Sequence, residues 1–179
     1  MRRSLFISLF AAVPLTSATA LDLPARKPGL WEISMVMEGR NVPPRVSQNC
    51  IDAATDKVMS SLGSDMRTCS KQDVQKSGGT LTVDSVCKVG DATVTSHSVV
   101  TGDFNSAYSV KLTSKREGGP PIPGMTPGAE TQMTIQAKWL GACKADQKPG
   151  DMIMPNGMKI NIVDMQKAAG AGGAPAPKR

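Results

Sequence analysis

A mainly β fold is predicted for this 179-residue chain: a curved antiparallel sheet or partly closed barrel of meander topology, with one short helix and two disulfides. Three features predict it. Apolar residues recur at every second position in successive runs, and Gly- or Pro-containing turns separate those runs. Only one early segment carries helix start and stop signals. Four cysteines follow a leader of the exported type, and in an oxidising compartment an even set of thiols pairs.

Residues 1–20 read as a signal peptide. Arg2 and Arg3 form a positive start, Leu5 to Leu15 an apolar run, and Ala18-Thr19-Ala20 the small-x-small pattern cut by signal peptidase. The product is expected to begin at Leu21 and to be periplasmic. The apolar run is eleven residues long with Pro14 inside it, too short for a ~30 Å hydrocarbon core, so no membrane span is expected.

Residues 21–166 are expected to form one disulfide-tied domain. Gly29 to Glu38 alternates, with Trp31, Ile33, Met35 and Met37 on one side and Glu32, Ser34 and Glu38 on the other, as a half-buried strand does. Asn41 to Pro44 ends it, and a short extended piece leads to Cys50. Asp52 is placed to cap a helix from about Ala53 to Leu62, with Gly63 as the C′ residue and Ala54, Val58, Met59 and Leu62 facing inward. Met66 to Lys115 reads as a meander. In it Ser77-Gly78-Gly79 is a turn, Leu81, Val83 and Cys87 share a face, Ala92 to Thr101 is a Thr/Val strand, and Phe104, Tyr108, Val110 and Leu112 share another face. Glu117 to Ala129 holds four Pro and four Gly in thirteen residues, a composition that suits a loop on the rim of the sheet. Thr131 to Leu140 alternates again, placing Met133, Ile135, Ala137 and Trp139 together. Pro155-Asn156-Gly157 can fold Met152–Met154 back on Met158–Ile162. Residues 167–179 are expected to be a disordered tail. The total is six to eight strands, with the helix plugging one end and both tryptophans buried on the core side.

Four cysteines allow three connectivities. A three-residue Ser77-Gly78-Gly79 loop pairs residues whose numbers sum to 156, which sets Cys69 opposite Cys87 with Cα atoms about 4.5 to 5.5 Å apart. Cys50 and Cys143 then form the long-range bond. That register also brings Asp73 and Gln75 beside the apolar side of the next strand, which points to a polar edge strand or a bulge.

Composition excludes several functions. The chain has six aromatic residues, two of them in the leader, too few to supply the row of stacking faces that nucleic-acid or sugar recognition uses. The formal charge of +6 falls to +1 over residues 21–166, where 16 basic face 15 acidic groups, and a phosphate-binding face is not expected. His97 is the only imidazole and has no acid or nucleophile beside it by local spacing, so it reads as a structural histidine and no catalytic residue is assigned. Ser85-Val86-Cys87-Lys88 has the letters of Ser-x-x-Lys but lies in a strand, where the two side chains point to opposite faces. No cofactor motif is present.

Lys27-Pro28-Gly29-Leu30-Trp31-Glu32, Cys50 before an acidic helix start, Cys69 and Cys87 around a glycine turn, and Lys138-Trp139-Leu140-Gly141-Ala142-Cys143 together resemble the domain-of-unknown-function family 3617 of exported bacterial proteins. The likeness runs from about Lys27 to Ile160. It implies a periplasmic, disulfide-tied β domain and no chemistry.

The expectation is therefore a non-enzymatic binding or interaction module whose partner is a protein or a small apolar ligand. Three alternatives bear on it. Thioether sulfur suits Cu(I), and Met35, Met37, Met152, Met154 and Met158 would make a methionine-based carrier if the first strand and the terminal hairpin were neighbours. An apolar inner face capped by the Pro/Gly loop would make a lipocalin-like carrier of a small apolar ligand. The exposed loop would serve an envelope inhibitor or assembly factor.

Overall fold

A computed structural model describes residues 24–65 and 68–170, so the expected leader, residues 1–20, and the last nine residues of the expected tail lie outside the described residues. The elements in chain order are β1 (Gly29–Met37), β2 (Arg45–Ile51), α1 (Ala53–Asp65), β3 (Thr68–Ser77), β4 (Thr80–Val89), β5 (Ala92–Asp103), β6 (Ala107–Gly118), β7 (Glu130–Gly141), β8 (Asp151–Ile153), β9 (Lys159–Asn161) and α2 (Ile162–Gly170). The strands form one curved, open, antiparallel sheet in the order β3-β4-β5-β6-β7-β1-β2-β8-β9. Nine strands exceed the six to eight expected, because the short extended pieces at 45–51, 151–153 and 159–161 all join the ladder.

The meander runs from β3 to β7, and β1 then inserts between β7 and β2. Alternation in each strand decides which side chains share the inner face. Trp31, Ile33, Met35 and Met37 of β1 lie opposite Trp139, Ala137, Ile135 and Met133 of β7. Ala137, Ile135 and Met133 in turn face Tyr108, Val110 and Leu112 of β6. Val110 continues to Val100 and then to Leu81. Two buried clusters form on this face: Trp31, Ile51 and Ala137, and Leu81, Val83 and Val100. Tyr108 packs against both, with its ring 5.7 Å from Trp31 and stacked at 4.6 Å on Phe104.

The helix covers one end of that face, as expected. Asp52 caps it reciprocally: Thr55 N–H donates to Asp52 Oδ1 at 2.8 Å, and Asp52 N–H donates to Thr55 Oγ1 at 2.9 Å. These hydrogen bonds from Thr55 hold the Asp52 carboxyl below its ordinary pKa. The helix runs through Gly63 to Asp65 instead of stopping at Leu62. Among its described side chains Thr55 and Asp56 are buried, with Met59 against the Trp31 cluster, while Ala54 is exposed; the Leu62 side chain lies outside those described. The face turns because Asp56 is drawn inward by Arg26, whose Nε lies 2.6 Å from Oδ1.

Three further differences have local causes. The β3–β4 turn is the two-residue Gly78-Gly79, both with positive φ, and it pairs Ser77 with Thr80 so that numbers sum to 157. A bulge at Ser70 restores the pairing of Cys69 with Cys87, whose Cα atoms are 3.9 Å apart. The shifted register sets Val74 opposite Val83 and leaves Asp73 on the outer side, opposite Asp84, which removes the tension of the three-residue loop. Residues 162–170 form α2, anchored by buried Ile162, so the expected tail begins inside a helix. Asn161 makes that start, its Oδ1 accepting from the N–H groups of Val163 and Asp164. Trp139 is half-buried, unlike the fully buried Trp31, because it lies at the end of the sheet with Lys27 Nζ 3.6 Å above its ring. The second disulfide, Cys50–Cys143, ties β2 to the residues after β7 across β1, with Cα atoms 5.4 Å apart. Among the described residues no helix is long and apolar enough to cross a membrane.

Candidate functional site

The inner face has two different halves. Toward α1 it is a closed core. Toward the other end, Met35 and Met37 of β1, Met133 and Ile135 of β7, and Leu112 of β6 stand side by side and are only half-buried. Three columns of alternate residues thus form an apolar floor that begins at the Trp31–Tyr108 contact and runs along β1, β7 and β6. With strands ~4.8 Å apart, three columns give a floor about 10 Å wide. Three of the eleven methionines, Met35, Met37 and Met133, lie here, where flexible thioethers make an adaptable surface.

Each end of the floor is bounded. At the deep end Tyr108 is buried enough that desolvation pushes its phenol pKa up, with Arg26 acting in the opposite direction. The lead-in before β1 is strapped there. Trp31 Nε1–H donates to Lys27 O at 2.8 Å, Trp139 Nε1–H donates to Pro28 O at 3.1 Å, and Lys27 N–H donates to Phe104 O at 2.9 Å. Gly29 has φ +132°, and a Cβ there would collide with the Gly141 carbonyl and Trp139 Nε1. The Pro-Gly-Leu-Trp signature is therefore the point where β1 crosses the end of β7.

At the far end a row of hydroxyls replaces the apolar residues. Ser114 and Thr131 are hydrogen-bonded at 3.0 Å, and Ser85 and Ser96 at 2.8 Å. Beyond that row the Pro/Gly loop arches back over the inner face and encloses a cavity of about 280 Å³ between Val94, Ser114, Arg116 and Thr131 below and Ile122, Met125 and Pro127 above. Among the described residues only four side chains are aromatic, and aliphatic and thioether groups form the floor.

The methionine set does not converge. Met152 pairs across β2, with Asn49, and β2 lies between β8 and β1, so Met152 and Met154 are separated from Met35 and Met37 by a full strand. Met158 is an exposed residue beyond the 155–157 turn. No group of three or more His, Cys, Asp or Glu side chains suited to a metal ion occurs among the described residues. His97 does have an acid beside it: Nδ1 lies 2.7 Å from Oδ1 of Asp84, directly across from it on β4. Local spacing could not show this, because the partner comes from the neighbouring strand. The pair is exposed on the outer face, the opposite side of the sheet from the apolar floor. Ser85 is buried and Lys88 exposed on opposite faces of β4, as the strand reading requires.

One family model matches the chain, that of the DUF3617 proteins of unknown function, over residues 26–143. Neither curated proteins nor solved structures gave a match.

Proposed function

The chain belongs to the DUF3617 family, and we propose that it is a non-enzymatic binding module of the periplasm that holds a small apolar ligand on the inner face of its sheet. The half-buried floor of Met35, Met37, Leu112, Met133 and Ile135 carries this reading. A contiguous apolar surface left open between a helix and a roofing loop is the pattern of a ligand site. The floor has the shape and chemistry for a flexible hydrocarbon chain. Covering about ten methylenes at ~0.8 kcal/mol each is worth roughly 8 kcal/mol, a micromolar dissociation constant before ordering costs are subtracted. Export is supported by the Arg2-Arg3 start, the apolar run and Ala18-Thr19-Ala20, and by four cysteines that are all paired.

Titration of the disulfide-intact protein with cis-parinaric acid tests the proposal. Saturable one-to-one fluorescence enhancement is expected, and Leu112→Glu should abolish it while the near-ultraviolet circular dichroism stays unchanged, because that residue is only half-buried. Enhancement that does not saturate, or that survives Leu112→Glu at full strength, overturns it.

A further inference from the structure

The loop end of the floor carries a cation. Arg116 projects from β6 on the inner face, opposite Val94 of β5, and lines the cavity beneath the Pro/Gly loop. Its neighbours in sequence are engaged with each other, Lys115 Nζ lying 2.7 Å from Glu117 Oε1. Among the described residues the Arg116 guanidinium has neither ion-pair nor hydrogen-bond partner. It is half-buried and held close by the loop, for a Cβ at Gly119 would collide with its Nη2. A guanidinium partly withdrawn from water without a counter-charge is unfavourable, and an anion supplied from outside relieves it.

Resting on the apolar-ligand reading above, we propose that the ligand is an anionic amphiphile: a hydrocarbon chain on the floor, ending in a carboxylate or phosphate that Arg116 binds beneath the Pro/Gly loop. The geometry gives both parts of such a molecule a place. From Arg116 to Tyr108 is eight residues along β6, about 27 Å of extended strand, which accommodates a long chain together with its head. The wall changes character along that path from the apolar Val110 and Leu112 to the Ser114–Thr131 hydroxyl pair and then to the guanidinium. The cavity of about 280 Å³ has room for a head group beside the guanidinium, and the apolar floor adjoins it.

Displacement of cis-parinaric acid by tetradecanoate, monotetradecyl phosphate and tetradecanol tests this. Both anions or either one should bind about tenfold or more tighter than the alcohol, the scale of a charge-assisted hydrogen bond. The tighter anion identifies the head group as fatty acid or phosphate ester. Arg116→Gln should bring anion binding down to the alcohol's level and leave the alcohol within about twofold, and Arg116→Lys should keep part of the preference. If tetradecanol binds as tightly as both anions, the head-group site is refuted while the apolar floor stands. The preference in the unsubstituted chain decides this even if Arg116→Gln does not fold. If none of the three displaces the probe, both proposals fail together. An anion preference that Arg116→Gln leaves intact in a folded protein also overturns the assignment.

Discussion

Trp31 and Trp139 show how one residue type in two matching strands comes to carry different weight. They sit opposite each other in the register, yet Trp31 is 0% exposed among Ile51, Ala137 and Met59, and Trp139 lies at the edge under Lys27. Trp31→Ala should cost about 3–5 kcal/mol, because removing a sealed indole leaves a cavity that cannot collapse. Trp139→Ala should cost clearly less, since the structure loses half-buried surface, one hydrogen bond and a cation–π contact of about 0.5–1 kcal/mol. Equal losses of melting temperature in the two variants would contradict this ordering. Asp52 makes a second prediction at this scale. Its carboxyl pKa is lowered in the folded chain by the Thr55 hydrogen bonds, so its contribution is present above the ordinary carboxylate pKa and is lost as pH falls through the folded value. Asp52→Ala should destabilise by about 1 kcal/mol at neutral pH and by progressively less toward pH 2, in paired denaturation curves. The cap itself was legible in the sequence, because Asp52 and Thr55 satisfy each other within three residues.

Among elements, those defined by local pattern came out as expected, and those defined by a partner did not. β1 and β7 alternate strongly enough to be read directly, and the loop is dictated by its prolines and glycines, although it begins at Gly119 and not at Glu117 because β6 runs on to Gly118 in pairing with β5. The Gly78-Gly79 turn differs because two adjacent positive-φ glycines make a two-residue hairpin, and the Ser70 bulge needed to bring Cys69 to Cys87 has no signature of its own. β8 and β9 form the hairpin expected around Pro155-Asn156-Gly157, and what the sequence did not show is that this hairpin joins the main sheet along the edge that β2 offers. α2 packs Ile162 inward, so Ile162→Ala should cost about 2–5 kcal/mol if the helix is structural; a change within ±0.5 kcal/mol would show that it does not matter to the fold. The two disulfides join elements over different spans. On the chain-entropy account, replacing Cys50 and Cys143 together by Ala should cost roughly 4–5 kcal/mol across 93 residues, against roughly 3 kcal/mol for Cys69 and Cys87 across 18. Melting temperatures of the two double variants check the order.

For the whole molecule, the consequence of an open sheet is that only part of its inner face can be sealed. α1 closes one end, the Pro/Gly loop roofs the other, and the floor between them stays half-buried. Replacing residues 119–129 by a tight turn should therefore leave stability within about 1 kcal/mol, since those residues are mostly exposed, while speeding dissociation of cis-parinaric acid in stopped-flow displacement. An unchanged off-rate would show that the loop does not cover the ligand. By itself the sequence determined the class of fold, the cap of α1, the rim loop, the turn at 155–157 and the pool of methionines, because period, capping and turn chemistry are written within a few neighbouring residues. Only the tertiary structure decided that β1 inserts between β7 and β2, that Asp84 stands beside His97, that Met35 and Met37 join Met133 instead of Met152, and that Arg116 lies under the loop. Each of these depends on which strand comes to lie beside which, a choice made by long-range pairing and burial over the whole chain, and alternation within one strand has no means of specifying its neighbour.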